Sequence, residues 1–108
     1  MVRHRAYAPL SYAVSWRDAE GRVTGGELEL GADRLRLEGA DRDGTPVARE
    51  IPYGEITSVR IGRSGTERID GRSTVVIEPR RGLALVVTSA VGFGTVQEIA
   101  ERLASIAG

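Results

Sequence analysis

Four arginines, Arg60, Arg63, Arg68 and Arg72, fall in one polar stretch opposed only by Glu67 and Asp70. A guanidinium is permanently charged and presents its N–H donors in a flat fork. A local excess of arginine therefore suits an acidic peptide, an anionic lipid headgroup or a phosphate. Nucleic acid is disfavoured, because the stretch holds no aromatic ring on which a base would stack. These four are the candidate ligand-binding residues, and a solvated loop is the competing reading. Arg80-Arg81 form a second basic pair at a hairpin tip. The chain has no lysine and no asparagine, so every fixed positive side chain is arginine. Selection for bidentate recognition would produce this, and so would the codon bias of a GC-rich, bacterial genome, which is the reading adopted.

Little else in the chain suits catalysis. Without cysteine there is no thiol nucleophile, thiolate metal site or disulfide. The single histidine, His4, stands between two arginines in the N-terminal lead-in, far from any partner pattern. Asp41 and Asp43 lie in a GADRDG loop that lacks the downstream glutamate of a calcium-binding loop, so a turn-stabilising role is expected. Gly92-Phe93-Gly94 precedes a helix but lacks the third glycine and the βαβ setting of a phosphate cradle. We expect no enzyme, no metal and no cofactor; an enzymatic reading would require a pocket of convergent polar groups.

The elements that must position the arginines follow from periodicity. At 108 residues the chain has the length of one domain, divided as a lead-in over 1–10 and a folded unit over 11–108. Fifteen basic residues balance fifteen acids, which gives no basic arm and no acidic tail. The opening MVRHRAYAPL lacks an apolar signal core, and no run is long enough to span a bilayer. The expected location is the cytoplasm, extending to the inner face of the membrane.

Thr95 to Ala107 is the one stretch with a helical period: Val96, Ile99, Ala100 and Leu103 share a face. Thr95 and Glu98 form a capping-box pattern at its start, Glu98 and Arg102 can pair one turn apart, and Gly108 suits the C′ position. Upstream, period-two alternation predicts strands over 11–16, 23–30, 34–38, 47–53, 58–62, 73–79 and 83–89. Gly25-Gly26 predicts a bulge or bend in the second of these, and 63–72 reads as a mobile loop.

This order resembles the pleckstrin-homology-like (PH-like) superfold, in particular small bacterial PH-like domains. The likeness rests on LELGADRLRLEG followed by REIPYGEITSVRIGR, with Ile51, Pro52, Tyr53, Ile56 and Val59 at the matching positions. The TVVIEP and GLALVV hairpin and the EIAERLASI helix complete it, over about residues 11–107. The resemblance implies a mainly β fold: a seven-stranded antiparallel, partly open barrel or sandwich capped by one C-terminal helix. Phosphoinositide-binding members carry a cationic cluster in the loop between the first two strands. Here that loop offers Arg17 and Arg22 but balances them with Asp18 and Glu20, and the Lys-x-Arg pattern is missing.

The resulting expectation is a non-catalytic interaction module that binds a protein segment, or itself, through a strand edge or groove. The alternative is a peripheral module drawn to an anionic membrane surface by the arginine loop.

Overall fold

The alternation that marks each strand in the sequence becomes, in the computed structural model, a sheet with one dry face. The structure describes residues 10–17 and 20–107. The strands are β1 (Leu10–Arg17), β2 (Val23–Leu30), β3 (Arg34–Ala40), β4 (Pro46–Pro52), β5 (Ile56–Gly62), β6 (Thr74–Pro79) and β7 (Leu85–Ser89). The helix α1 (Phe93–Ala107) follows. All pairings are antiparallel, in the order β4-β3-β2-β1-β7-β6-β5. Two meanders are thus joined where residues 14–17 of β1 pair with 86–89 of β7. β4 and β5 are consecutive in the chain yet form the two outer edges, so the sheet stays open between them.

The alternate side chains Val14 and Trp16, Leu28 and Leu30, and Leu35 and Leu37 are buried as the period-two pattern predicts. Each fully buried leucine contributes on the order of 2 kcal/mol by removing apolar area from water. α1 lays Val96, Ile99 and Leu103 against this core and packs on β5, β6, β7 and the 3₁₀ turn Tyr53–Glu55. That turn is itself anchored, since the Tyr53 hydroxyl donates to the Gly31 carbonyl at 2.7 Å.

Several expectations need correction. The helix starts at Phe93, so Thr95 lies inside its first turn and the capping box does not form its boundary. Glu98 instead accepts a hydrogen bond from the Tyr12 hydroxyl at 2.5 Å, and it pairs with Arg102 at 3.4 Å as the spacing implied. The Gly25-Gly26 pair makes no bulge, because the β2–β3 register runs unbroken through it. Its role is close approach: a Cβ on Gly26 would collide with the Glu38 backbone. One on Gly39, its partner, would lie 2.9 Å from the Trp16 ring. The register shift occurs in β5, between Ile56 and Ser58. β7 begins at Leu85, which leaves Leu83 in the preceding turn, 62% exposed. Leu10 belongs to β1 rather than to the lead-in. His4, Asp18 and Gly108 lie outside the described residues.

The largest correction concerns 63–72, which is folded rather than loose. A 3₁₀ turn at Gly65–Glu67 leads to a tight hairpin in which Ile69 and Arg72 exchange backbone hydrogen bonds of 3.2 and 2.9 Å. Asp70 (φ 51°) and Gly71 (φ 76°) supply the left-handed backbone that a two-residue turn of this hand requires. Ile69 is 1% exposed although it lies outside the main core. Val76 points to the face opposite Val75 and Ile77 and is buried as well. The loop is folded onto β5 and β6: a Cβ on Gly62 would meet both Val76 and Glu67, and the Glu67 carbonyl accepts the Thr74 hydroxyl at 2.7 Å.

Candidate functional site

The β5–β6 loop has a closed half and an open half, and the four candidate arginines divide between them. Arg60, projecting from β5, engages the Glu67 carboxylate. That hydrogen bond holds the Glu67 carboxyl below its usual range. Arg68 turns inward, with Nε donating to the Arg63 carbonyl and Nη1 to the Gly71 carbonyl, both at 2.9 Å. Arg17 adds a clamp from β1, donating to the carbonyls of Thr66 at 2.8 Å and Arg68 at 2.6 Å. Arg17 was a cation of the β1–β2 region in the sequence; in the fold its guanidinium is tied to this loop.

Arg63 and Arg72 lie on the other side. The Arg63 guanidinium carbon stands 5.7 Å from the centroid of the Phe93 ring, a cation–π contact. Arg72 Nη1 donates to the Ser89 carbonyl at 3.3 Å. Between Arg72 and the start of α1 lies a cavity of about 330 Å³. It is lined by Arg72-Ser73 before β6, by residues 88–92 after the centre of β7, and by Phe93 and Val96 of α1. Val96 is buried, whereas Val91 is 77% and Phe93 41% exposed. Two of the three lining hydroxyls, those of Thr88 and Ser89, bond to the backbone. Thr88 donates to the Ser73 carbonyl at 2.9 Å, and Ser89 Oγ accepts the Val91 amide at 3.0 Å. The lining holds no carboxylate and no imidazole, so the groove offers apolar surface and positive charge rather than a general base.

The other sequence candidates lie elsewhere. Asp41 Oδ1 accepts the amides of Asp43 at 2.9 Å and Thr45 at 3.0 Å, which is the turn role expected of it. Arg80 folds back at the far end of β6, where its Nε reaches the Gly54 carbonyl at 3.4 Å. It shares no surface with the groove. The groove residues that sequence reasoning missed are Val91 and Phe93. Their signal is two large apolar side chains interleaved with Gly92 and Gly94, where helical burial cannot yet claim them.

Comparison by sequence finds neither a matching family model nor a similar curated protein. Among solved structures, the fold is similar to the Slm1-PH domain in complex with phosphoserine. The TM-score is 0.63 at 14% identity, over 87% of this chain and 90% of that one. It is similar too to the C-terminal domain of an unknown protein from Leishmania infantum (TM-score 0.61, 13% identity, 87% and 81% coverage). At such identities the likeness is one of fold: a seven-stranded antiparallel sheet capped by one C-terminal helix, and PH-like, as the sequence resemblance implied.

Proposed function

We propose that the chain is a non-catalytic interaction module that takes a segment of another protein in the groove between the β5–β6 loop and the start of α1. The observation that carries this is the concave, partly apolar lining itself, with Val91 and Phe93 left in water beside a buried floor. Exposed apolar side chains gathered at a cavity of side-chain size suit a ligand, whereas the same residues scattered singly would need no explanation. PH-like folds commonly serve as binding modules.

The groove is favoured over a strand edge for a specific reason. β4, one of the two outer strands, begins and ends at proline, which has no amide to donate to an added strand. The Arg49 guanidinium also reaches the Leu83 carbonyl at 3.3 Å, folding the β6–β7 turn toward this edge. β5, the other outer strand, has α1 packed against it.

The test is to select peptides from a random display library on the immobilised 108-residue chain and map one of them by amide chemical shifts. Shifts gathered at residues 72–73 and 88–96 are expected. Shifts running along 46–52 or 56–62 would move the function to a strand edge and overturn the groove.

A further inference from the structure

We infer that the groove selects an acidic partner: a peptide segment that carries a carboxylate within about two residues of a large apolar side chain. This rests on the groove being the binding site and names the chemistry of what it takes.

Charge is the first argument. Arg63 and Arg72 flank the groove, and among the described residues neither has an ion-pair partner. Their interactions are with neutral groups, the Phe93 ring and the Ser89 carbonyl. The two acids of the same loop do not compensate. Glu67 is engaged by Arg60, and Asp70 forms the hairpin tip, outside the cavity lining. Two guanidinium groups with unused donors beside a lining free of carboxylates make a site complementary to carboxylate.

Geometry supplies the second argument. The positive charge of Arg63 is held 5.7 Å from the centre of an apolar ring. An extended peptide advances about 3.3 Å per residue, so a side chain against Phe93 and a carboxylate on Arg63 belong to residues about two apart. The 330 Å³ cavity has room for one such apolar side chain, not for a folded surface. A concave site with cations on its rim also differs from the convex basic surface that a bilayer would meet.

Two occupants from this chain fit less well. Residues 1–9 carry Arg3, His4 and Arg5 and no acid, the wrong sign for the groove. On a second copy, Glu27 and Glu29 flank Leu28, but that leucine is fully buried and cannot be presented.

Peptides enriched by display on the full chain would be sequenced, and the strongest, labelled with a fluorophore, titrated by polarisation against wild type and variants. Enrichment of Asp or Glu within two residues of Leu, Phe or Met is expected. Affinity should fall about tenfold for each of Arg63→Glu and Arg72→Glu, the loss of one charge-assisted contact apiece. It should fall further between about 50 mM and about 300 mM salt. Val91→Ser should also weaken binding, and at 77% exposure that change does not threaten the fold. Neutral or basic peptides that lose affinity on Val91→Ser but not on the arginine changes would keep the groove and overturn the acidic partner. Peptides indifferent to all three substitutions would overturn the groove itself. If no peptide is enriched and the chain sediments with phosphatidylserine vesicles through Arg63 and Arg72, the occupant is a membrane and the proposal fails.

Discussion

Arg68 and Arg72 share one loop and one side-chain chemistry, yet they do different work. Arg68 sends its guanidinium across the loop to two carbonyls, and Arg17 reaches in from β1 to two more. Arg72 donates to one carbonyl beside the open groove, and Arg63 rests on an aromatic face. The difference lies in what the backbone offers. A 3₁₀ turn followed by a tight hairpin leaves carbonyls pointing inward at Arg63, Thr66, Arg68 and Gly71, and forked donors within reach satisfy them. Beside the groove Arg72 meets a single carbonyl, that of Ser89, and Arg63 meets a ring, so guanidinium groups there retain donors. Residue type alone therefore does not tell an arginine tied to the backbone from one that keeps free donors; the carbonyls within its reach do.

The comparison breaks most directly at Ile69. If the closed half is a folded unit, Ile69→Ala removes its buried anchor and should cost about 2–4 kcal/mol in urea or thermal unfolding. A loss below about 1 kcal/mol would show the loop to be loosely held, and the division between the two halves would collapse. Arg17→Ala comes next, at about 1–3 kcal/mol, since it leaves two carbonyls without their charged donor. Faster amide exchange across 64–72 should accompany it. Arg17→Lys should fail to restore protection, because one ammonium cannot reproduce the fork. Gly71→Ala forces a Cβ into left-handed backbone and should cost about 1 kcal/mol without altering any side-chain contact.

Seven strands and one helix were legible because their signal is local. Alternation such as Leu28-Glu29-Leu30 and the Val96, Ile99, Leu103 spacing each fix a face within a few residues. The polar composition of the β5–β6 loop masks its fold, although Asp70-Gly71 flanked by Ile69 and Arg72 is a strong two-residue hairpin signal. A single isoleucine among arginines gives no periodicity, so nothing local in the sequence marks Ile69 as buried. The four arginines were legible as a group but not as two pairs, because their division depends on carbonyls and on Phe93, thirty positions from Arg63. Thr95 and Glu98 show the reverse error. Their pattern is local and clear, but Tyr12, from the other end of the chain, binds the glutamate instead.

Acid sharpens the comparison by acting on one half only. The Arg60 hydrogen bond lowers the folded-state pKa of Glu67 from 4.5, so the pair stabilises the loop wherever the unfolded carboxyl would be ionised. That contribution is complete above this value and is lost as pH falls through the lowered one. Protection of the amides in 64–69, measured against the intrinsic exchange rate at each pH, should therefore fall on acidification below pH 4.5. In Glu67→Gln the same amides should already exchange faster at neutral pH and show a weaker acid response. Equal acid sensitivity in the two proteins would mean that another carboxylate controls the loop.

The smallest expected effect discriminates most sharply. Arg63→Ala and Arg72→Ala should each change stability by no more than about 0.5 kcal/mol, because an exposed cation–π contact and one long hydrogen bond are all they remove. Unfolding curves beside those of Arg17→Ala decide the matter. If Arg72→Ala matches Arg17→Ala, its bond to the Ser89 carbonyl is a structural tie, and the groove loses one of its two charges to the fold. If it is silent, the same guanidinium chemistry is load-free at the groove and clamping four residues away, at Arg68, and the free charge is available to a ligand.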